Sequence, residues 1–271
     1  MKLIRYGKVG KEKPGLLDPE GILRDLSALV PDIGPDQLSA ASLKKLARLK
    51  PEQLPRVRGR PRLGCPVAKI GKFIAIGLNY ADHAAEMNSA VPDEPIIFLK
   101  PNTSVAGPGD TITWPAMAQS IDYEGELAIV ISRICKDVPK ERYTDVIFGY
   151  TIANDVTSRD LQKKDGQWAR AKGFDSFCPL GPWIETEFVP DSQVITTRLN
   201  GEVKQCEPVS SLIFKVPEII EFVTSVMTLL PGDVILTGTP AGIGPMPAGS
   251  EVSITIDGIG TLTNKVSARV K

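Results

Sequence analysis

Apolar positions in this chain come in short runs, and few runs are long enough to make a helix. Phe73–Leu78, Pro95–Leu99, Glu126–Ser132 and Val146–Ala153 are rich in Ile, Val and aromatic residues, which predicts strands. Ile195–Leu199 and Glu202–Gln205 flank Asn200-Gly201, a pair that favours the positive φ angles of a tight hairpin turn. Val252–Ile256 and Thr261–Val266 flank a turn starting at Asp257-Gly258 and predict a second hairpin. Only two segments show a helical period. In Asp36–Leu49 a stripe of Leu38, Ala41, Leu46 and Leu49 lies opposite Lys44, Lys45 and Arg48. In Pro217–Leu230 the apolar face is Ile219, Ile220, Val223, Val226, Met227 and Leu230, with Pro217 suited to the first turn. Lys2–Tyr6 and Ile22–Leu26 read as short strands ahead of them.

These elements predict an α+β chain that is predominantly β. The segment Pro51–Gly64 is rich in Pro and Arg and poor in large apolar residues, and it reads as a solvated connector. Within it Arg56, Arg58, Arg60 and Arg62 alternate. We therefore expect a small N-terminal domain plus linker over 1–66 and a larger unit over 67–271. The 24 Gly and 23 Pro punctuate the chain too often for a helical bundle. Gly238–Gly244 (GTPAGIG) superficially resembles a dinucleotide-binding loop, but no helical pattern follows it and no βαβ alternation surrounds it.

Composition narrows the function classes. The 271 residues carry 32 Lys plus Arg against 32 Asp plus Glu, a balance unlike that of a protein built to neutralise nucleic-acid phosphates. The four cysteines are widely spaced and the chain has one histidine, too few ligands for a structural zinc site. The opening MKLIRYGKVG lacks the apolar run of a signal peptide, and no stretch approaches the ~20 apolar residues of a membrane span. The expectation is a cytoplasmic protein without nucleic-acid or membrane partners.

The candidate chemistry is acidic. Glu124 and Glu126 precede an apolar run, and on a strand residues two apart face the same side. Two carboxylates held that close repel unless a cation sits between them. Asp155 follows the run Val146–Ala153 and could complete a set of hard oxygen donors for Mg²⁺ or Mn²⁺. The residues alone fit an exposed strand face equally well. His83 lies three residues before Glu86, so a helical turn would place imidazole and carboxylate together, as a general base requires. An inconsequential surface pair has the same spacing. Lys172 stands in a turn-rich stretch with Phe174 and Phe177, aromatics placed to hold a cation over a pocket. Arg159 and Gln162 follow Asp155 closely enough to face the same cavity.

Taken together, these segments resemble the fumarylacetoacetate hydrolase family. The resemblance is carried by the stretch around His83, by Asp122-Tyr-Glu-Gly-Glu-Leu-Ala-Ile-Val-Ile, by Asn154-Asp-Val-Thr-Ser-Arg-Asp-Leu-Gln, by the Lys172 stretch and by Pro231-Gly-Asp-Val-Ile-Leu-Thr-Gly-Thr-Pro-Ala-Gly-Ile-Gly. Five co-linear motifs are far more specific than any one. The chain looks most like the shorter domain-containing members that act on acylpyruvates and oxaloacetate. The resemblance implies a mixed β-sheet roll with few helices, a homodimer, and a catalytic domain over 67–271. It implies that Glu124, Glu126 and Asp155 bind Mg²⁺ or Mn²⁺, that His83 and Glu86 form a base dyad on a mobile lid, and that Lys172 is the active-site lysine. Arg159 and Gln162 would form the polar pocket, and Thr239 would contact the substrate carboxylate. The implied reaction is C–C cleavage of small 2-oxo acids, by acylpyruvate hydrolysis or oxaloacetate decarboxylation. The alternatives are keto–enol tautomerisation at the same residues and a non-catalytic module that binds metal and carboxylates. The first ~65 residues do not match the large N-terminal domain of full-length members, which points away from fumarylacetoacetate itself.

Overall fold

The computed structural model describes residues 1–270. The chain opens with a meander of β1 (Lys2–Tyr6), β2 (Lys13–Leu17) and β3 (Leu23–Asp25). β2 reads KPGLL and carries no strand signal, yet it is the central strand of the meander. A Cβ at Gly15 would sit 2.8 Å from the Arg24 carbonyl oxygen, so the close pairing there needs glycine. Helix α1 (Ala40–Leu46) is shorter than the predicted Asp36–Leu49, because the Ser39 hydroxyl accepts the Ser42 N–H at 3.1 Å and caps the helix there. Leu38 and Leu46 are buried as the stripe predicts.

The Pro51–Gly64 segment is pinned rather than solvated throughout. Arg56 bridges to Arg24 and Leu63 to Tyr6 through the backbone. Arg62 pairs with Glu12 at 3.0 Å and Asp110 at 2.6 Å. Arg56, Arg58 and Arg60 remain exposed.

The chain continues through β4 (Phe73–Gly77), α2 (Ala81–Glu86), β5 (Ile96–Lys100), β6 (Val105–Ala106), β7 (Thr111–Trp114) and β8 (Asp122–Tyr123). Next come β9 (Gly125–Ile131), β10 (Ile147–Asn154), α3 (Arg159–Asp165), α4 (Ala169–Lys172) and β11 (Cys178–Glu185). The last part holds β12 (Val194–Leu199), β13 (Glu202–Pro208), α5 (Val216–Val226), β14 (Val234–Leu236), β15 (Gly244–Pro245), β16 (Glu251–Ile256) and β17 (Gly260–Arg269). Both predicted hairpins form, and Asn200 and Gly201 take φ of 50° and 86°.

The large sheet runs β3-β2-β1-β11-β10-β9-β14-β4-β5, with β6 added beside β11. A second sheet runs β13-β12-β16-β17-β7, and β8 pairs with β15. Mixed sheets with few helices are thus the observed architecture. The 1–66 segment extends the large sheet through Lys2↔Glu185 and Leu3↔Ile184. β9 is buried on both faces, so its side chains enter two cores in alternation. Leu127, Ile129 and Ile131 pack with Ile254 and Ile256 of the second sheet and with Ile219, Ile220 and Val223 of α5. Ala128 and Val130 pack with Phe73, Phe148, Leu3 and Leu26 on the other side. α5 stops at Val226, four residues before the predicted end, and Val226 and Leu230 are exposed. Met227 turns extended, and Leu229 exchanges backbone hydrogen bonds with Cys135 ahead of a turn at Pro231-Gly232, where the Leu230 N–H donates to Asp233 Oδ2 at 2.8 Å.

Candidate active site

The β9–β10 register sets the geometry. Asn154 faces Gly125 and Ala153 faces Glu126. Just beyond the ladder, the Asp155 N–H donates to the Glu124 carbonyl, and the Glu124 N–H donates to Asn154 Oδ1, each at 2.9 Å. Glu124 sits in the break between β8 and β9 rather than inside one strand, and it still faces the same cavity as Glu126. Glu124, Glu126 and Asp155 are 4%, 2% and 0% exposed, with carboxylate oxygens within 4.8 Å of one another. That excludes the exposed strand face the residue pattern left open.

Cations surround this triad. Lys172 Nζ donates to Asp155 Oδ2 at 2.6 Å, Glu124 Oε2 at 2.9 Å and the Thr157 hydroxyl at 2.9 Å. Lys100 donates to Asp155 Oδ1, and Arg159 donates to Glu124 and to Asp122. Burial favours the neutral Glu124 acid, but Lys172 and Arg159 outweigh it and hold the carboxyl below its usual range. Glu126 goes the other way: burial, then the charges of Asp155 and Glu124, push it well above that range. Its hydrogen-bond partner is the Gly238 N–H, at 2.6 Å. Burial opposes the Lys172 charge, yet Asp155 and Glu124 raise its pKa above the ordinary lysine value. A buried set of hard oxygen donors with one carboxylate lacking a cationic partner fits a divalent cation of the Mg²⁺ or Mn²⁺ type.

Helix α2 covers the triad from the other side. His83 is 5% exposed, and its Nδ1 lies 3.2 Å from Glu86 Oε2. With Nδ1 donating to the carboxylate, Nε2 is the free acceptor on the ring. The strap Gly238–Gly242 joins the two halves: Gly238 N–H binds Glu126, Ala241 N–H binds Asp82 Oδ2 at 3.2 Å, and Gly242 N–H binds Glu86 Oε1 at 3.0 Å.

One cavity of about 210 Å³ collects the expected residues. His83, Glu124, Glu126, Asp155, Arg159, Gln162, Lys172 and Thr239 all line it, and Glu86 joins through His83. Arg159 Nη1 donates to Gln162 Oε1 at 2.9 Å along α3. The aromatics beside Lys172 differ from expectation. Phe98 and Trp168 lie 5.0 and 6.0 Å from its Nζ, whereas Phe174 and Phe177 pack into the core cluster around Ile112. Phe98 and Trp168 meet edge to face at 5.1 Å and form an apolar wall of the cavity. Sequence reasoning missed Lys100, Asp122, Thr157 and Gln205. A lysine closing the apolar run Ile96–Leu99 was a readable signal for the first; Gln205 offered none.

With this geometry in place, similarity to known proteins becomes informative. The profile for Fumarylacetoacetate (FAA) hydrolase C-terminal matches residues 72–267. The chain belongs to the fumarylacetoacetate hydrolase family. A Burkholderia ambifaria relative, named only as a hydrolase, is 47% identical over 96% of each chain. Among solved structures, the 5-carboxymethyl-2-hydroxymuconate delta-isomerase of Mycobacterium smegmatis is 43% identical, with a TM-score of 0.80 over 100% of both chains. The maleylpyruvate hydrolase of a Sphingobium species, solved with manganese(II) and pyruvate, is 28% identical with a TM-score of 0.86, again over 100% of both chains. Among the described residues, no helix is long and apolar enough to cross a membrane.

Proposed function

We propose that this protein cleaves the C–C bond of small 2-oxo acids of the acylpyruvate or oxaloacetate type. One observation carries the reading: a buried carboxylate triad faces a His–Glu dyad across one small cavity, with a buried lysine between acids. A Mg²⁺ or Mn²⁺ ion on Glu124, Glu126 and Asp155 would supply a template and Lewis acid for the 1-carboxylate and 2-oxo oxygens. His83, oriented by Glu86, takes a proton from the water that attacks the distal carbonyl. The C–C bond breaks, and its electron pair passes to a pyruvate enolate. The Lys172 ammonium stabilises that negative charge, and protonation completes pyruvate. With oxaloacetate, loss of CO₂ leaves the same enolate without an attacking water. The cavity's volume suits a small acid. The purified protein with Mg²⁺ or Mn²⁺ should release pyruvate from acetylpyruvate, fumarylpyruvate or oxaloacetate. Failure on all three with either ion would refute the reading.

A second reading has its own support. The Mycobacterium smegmatis neighbour, 43% identical over the whole chain, is named an isomerase, beside relatives named hydrolases at 47% and 28% identity. Proton movement alone at the same residues would interconvert keto and enol forms. Proton NMR separates the two readings: hydrolysis yields two products, whereas tautomerisation only speeds equilibration. Enol decay without pyruvate would establish the isomerase. We expect a cytoplasmic homodimer, to be checked by light scattering and by fractionation.

A further inference from the structure

We propose that Gln205 is a positioning residue that presents the Thr239 hydroxyl as a hydrogen-bond donor to the carboxylate of a bound 2-oxo acid. The inference rests on the function proposed above and deepens it. Gln205 lies on β13, 1% exposed, more than thirty residues from Thr239 in sequence. Its Oε1 accepts the Gly125 N–H at 3.1 Å, and its Nε2 donates to the Pro240 carbonyl at 2.7 Å. A backbone N–H requires an acceptor and a carbonyl requires a donor, so these two partners leave the amide one orientation. The same Nε2 donates to Thr239 Oγ1 at 2.8 Å.

The consequence concerns one hydrogen. Thr239 Oγ1 accepts from Gln205, so its own hydrogen is left for the cavity that Thr239 lines. A hydroxyl that accepts on one side is polarised into a better donor on the other. The acceptor it suits is a carboxylate or carbonyl oxygen. Gln205 also holds Gly125, the residue between two triad carboxylates, so one buried amide ties the metal-side backbone to the substrate-side hydroxyl.

The fold is shaped to deliver this amide. Thr197 pairs with Gln205 and Arg198 with Val203, so Lys204 is the extra residue of a bulge. The Lys204 carbonyl presses on the strap at Gly242, where a Cβ would collide with it and where φ is 95°. The hairpin is therefore seated against the strap, with Gln205 reaching through.

The test measures binding of oxalate, a dianionic 2-oxo acid mimic, by calorimetry in Mn²⁺, alongside KM and kcat. Gln205→Glu is isosteric but has at most one O–H, which the Pro240 carbonyl claims, so protonated or ionised it no longer donates to Thr239 Oγ1 and the hydroxyl is free to turn from the cavity. Oxalate affinity should fall about 10- to 100-fold, the range for losing a hydrogen bond to a charged group, and KM should rise more than kcat falls. Thr239→Val should lose a similar factor, and Thr239→Ser should keep wild-type affinity. On the Thr239→Val background, Gln205→Glu should cost less than about threefold, because the two act as one unit. Equal losses on both backgrounds would overturn the proposal. So would Thr239→Val binding oxalate as the wild type does, a result that holds even if Gln205→Glu fails to fold. Wild-type protein that binds no oxalate would overturn the proposed function together with this inference. Oxalate binding unaffected by Gln205→Glu would overturn the inference alone.

Discussion

Two clusters of opposite charges lie inside this molecule, and they follow different rules. In the first, Arg5 pairs with Asp32 at 2.7 Å and Glu12 at 3.6 Å, and Arg62 with Glu12 at 3.0 Å and Asp110 at 2.6 Å. Each carboxylate meets a guanidinium, and Asp32, Asp110 and Arg62 keep about 30% of their side chains in solvent. That cluster stitches the N-terminal segment to the body. In the second, the carboxylates are almost wholly buried, and Glu126 has a single backbone N–H where its neighbours have cations. A network built only for stability would match that charge, since an uncompensated buried ion is costly. The difference marks the second cluster as a site built to receive something.

The sharpest way to break this contrast is Glu126→Gln. It should abolish calorimetric Mg²⁺ or Mn²⁺ binding while the circular dichroism spectrum is retained; unchanged metal affinity would show that the carboxylates are structural after all. His83→Gln should lower kcat by roughly 10²–10⁴-fold, the usual range for a positioned base, and leave metal affinity intact. A variant that also loses metal would make His83 a ligand. A smaller loss with oxaloacetate than with an acylpyruvate would show that the dyad serves water activation, since decarboxylation needs no attacking water.

In the first cluster, Arg62→Ala should leave kcat near wild type and destabilise the fold by about 2 kcal/mol, from hydrogen bonds to charged groups. Urea unfolding and turnover measured together check the pair, and a kcat loss without a stability loss would join the two clusters functionally. The smallest effect is in pH. The Glu126 carboxyl is raised in the folded state, so the metal-free protein binds its proton more tightly than the unfolded chain does. The stability this group contributes is full below its unfolded pKa and is lost as pH rises toward the raised folded value. Glu124 has the opposite sign: its pKa is lowered, so its contribution is present above the unfolded value and lost as pH falls. Melting temperatures from acid to neutral pH, with a chelator present, should show Glu126→Gln flattening the loss on the rising side.

Much of the site was legible because its parts are local. Glu124 and Glu126 are two apart, His83 and Glu86 share a helical turn, and Asp155 closes an apolar run. β9, β10 and both hairpins were equally plain, because a half-buried or fully buried strand leaves a pattern within its own residues. β11 was not. Its Cys-Pro-Leu-Gly-Pro run argues against a central strand, yet it pairs on both sides. The structure reconciles this with a register shift: Tyr150 faces Glu185 and Ile152 faces Gly181, so Pro182 falls where the ladder is interrupted. β14 escaped because three buried residues are too short to show a period.

The sequence by itself determined the carboxylates, the His–Glu pair and the strongly patterned strands such as β9 and β10, since these follow from residue type and near-neighbour spacing. Only the tertiary structure decided that Glu124 and Glu126 face a buried cavity rather than solvent, that Phe98 and Trp168 rather than Phe174 and Phe177 flank Lys172, and that Gln205 reaches Thr239. Those outcomes depend on strand register and on sheet packing across distant segments. No local pattern encodes them, because the burial and charge that set a group's behaviour come from residues far away in the chain.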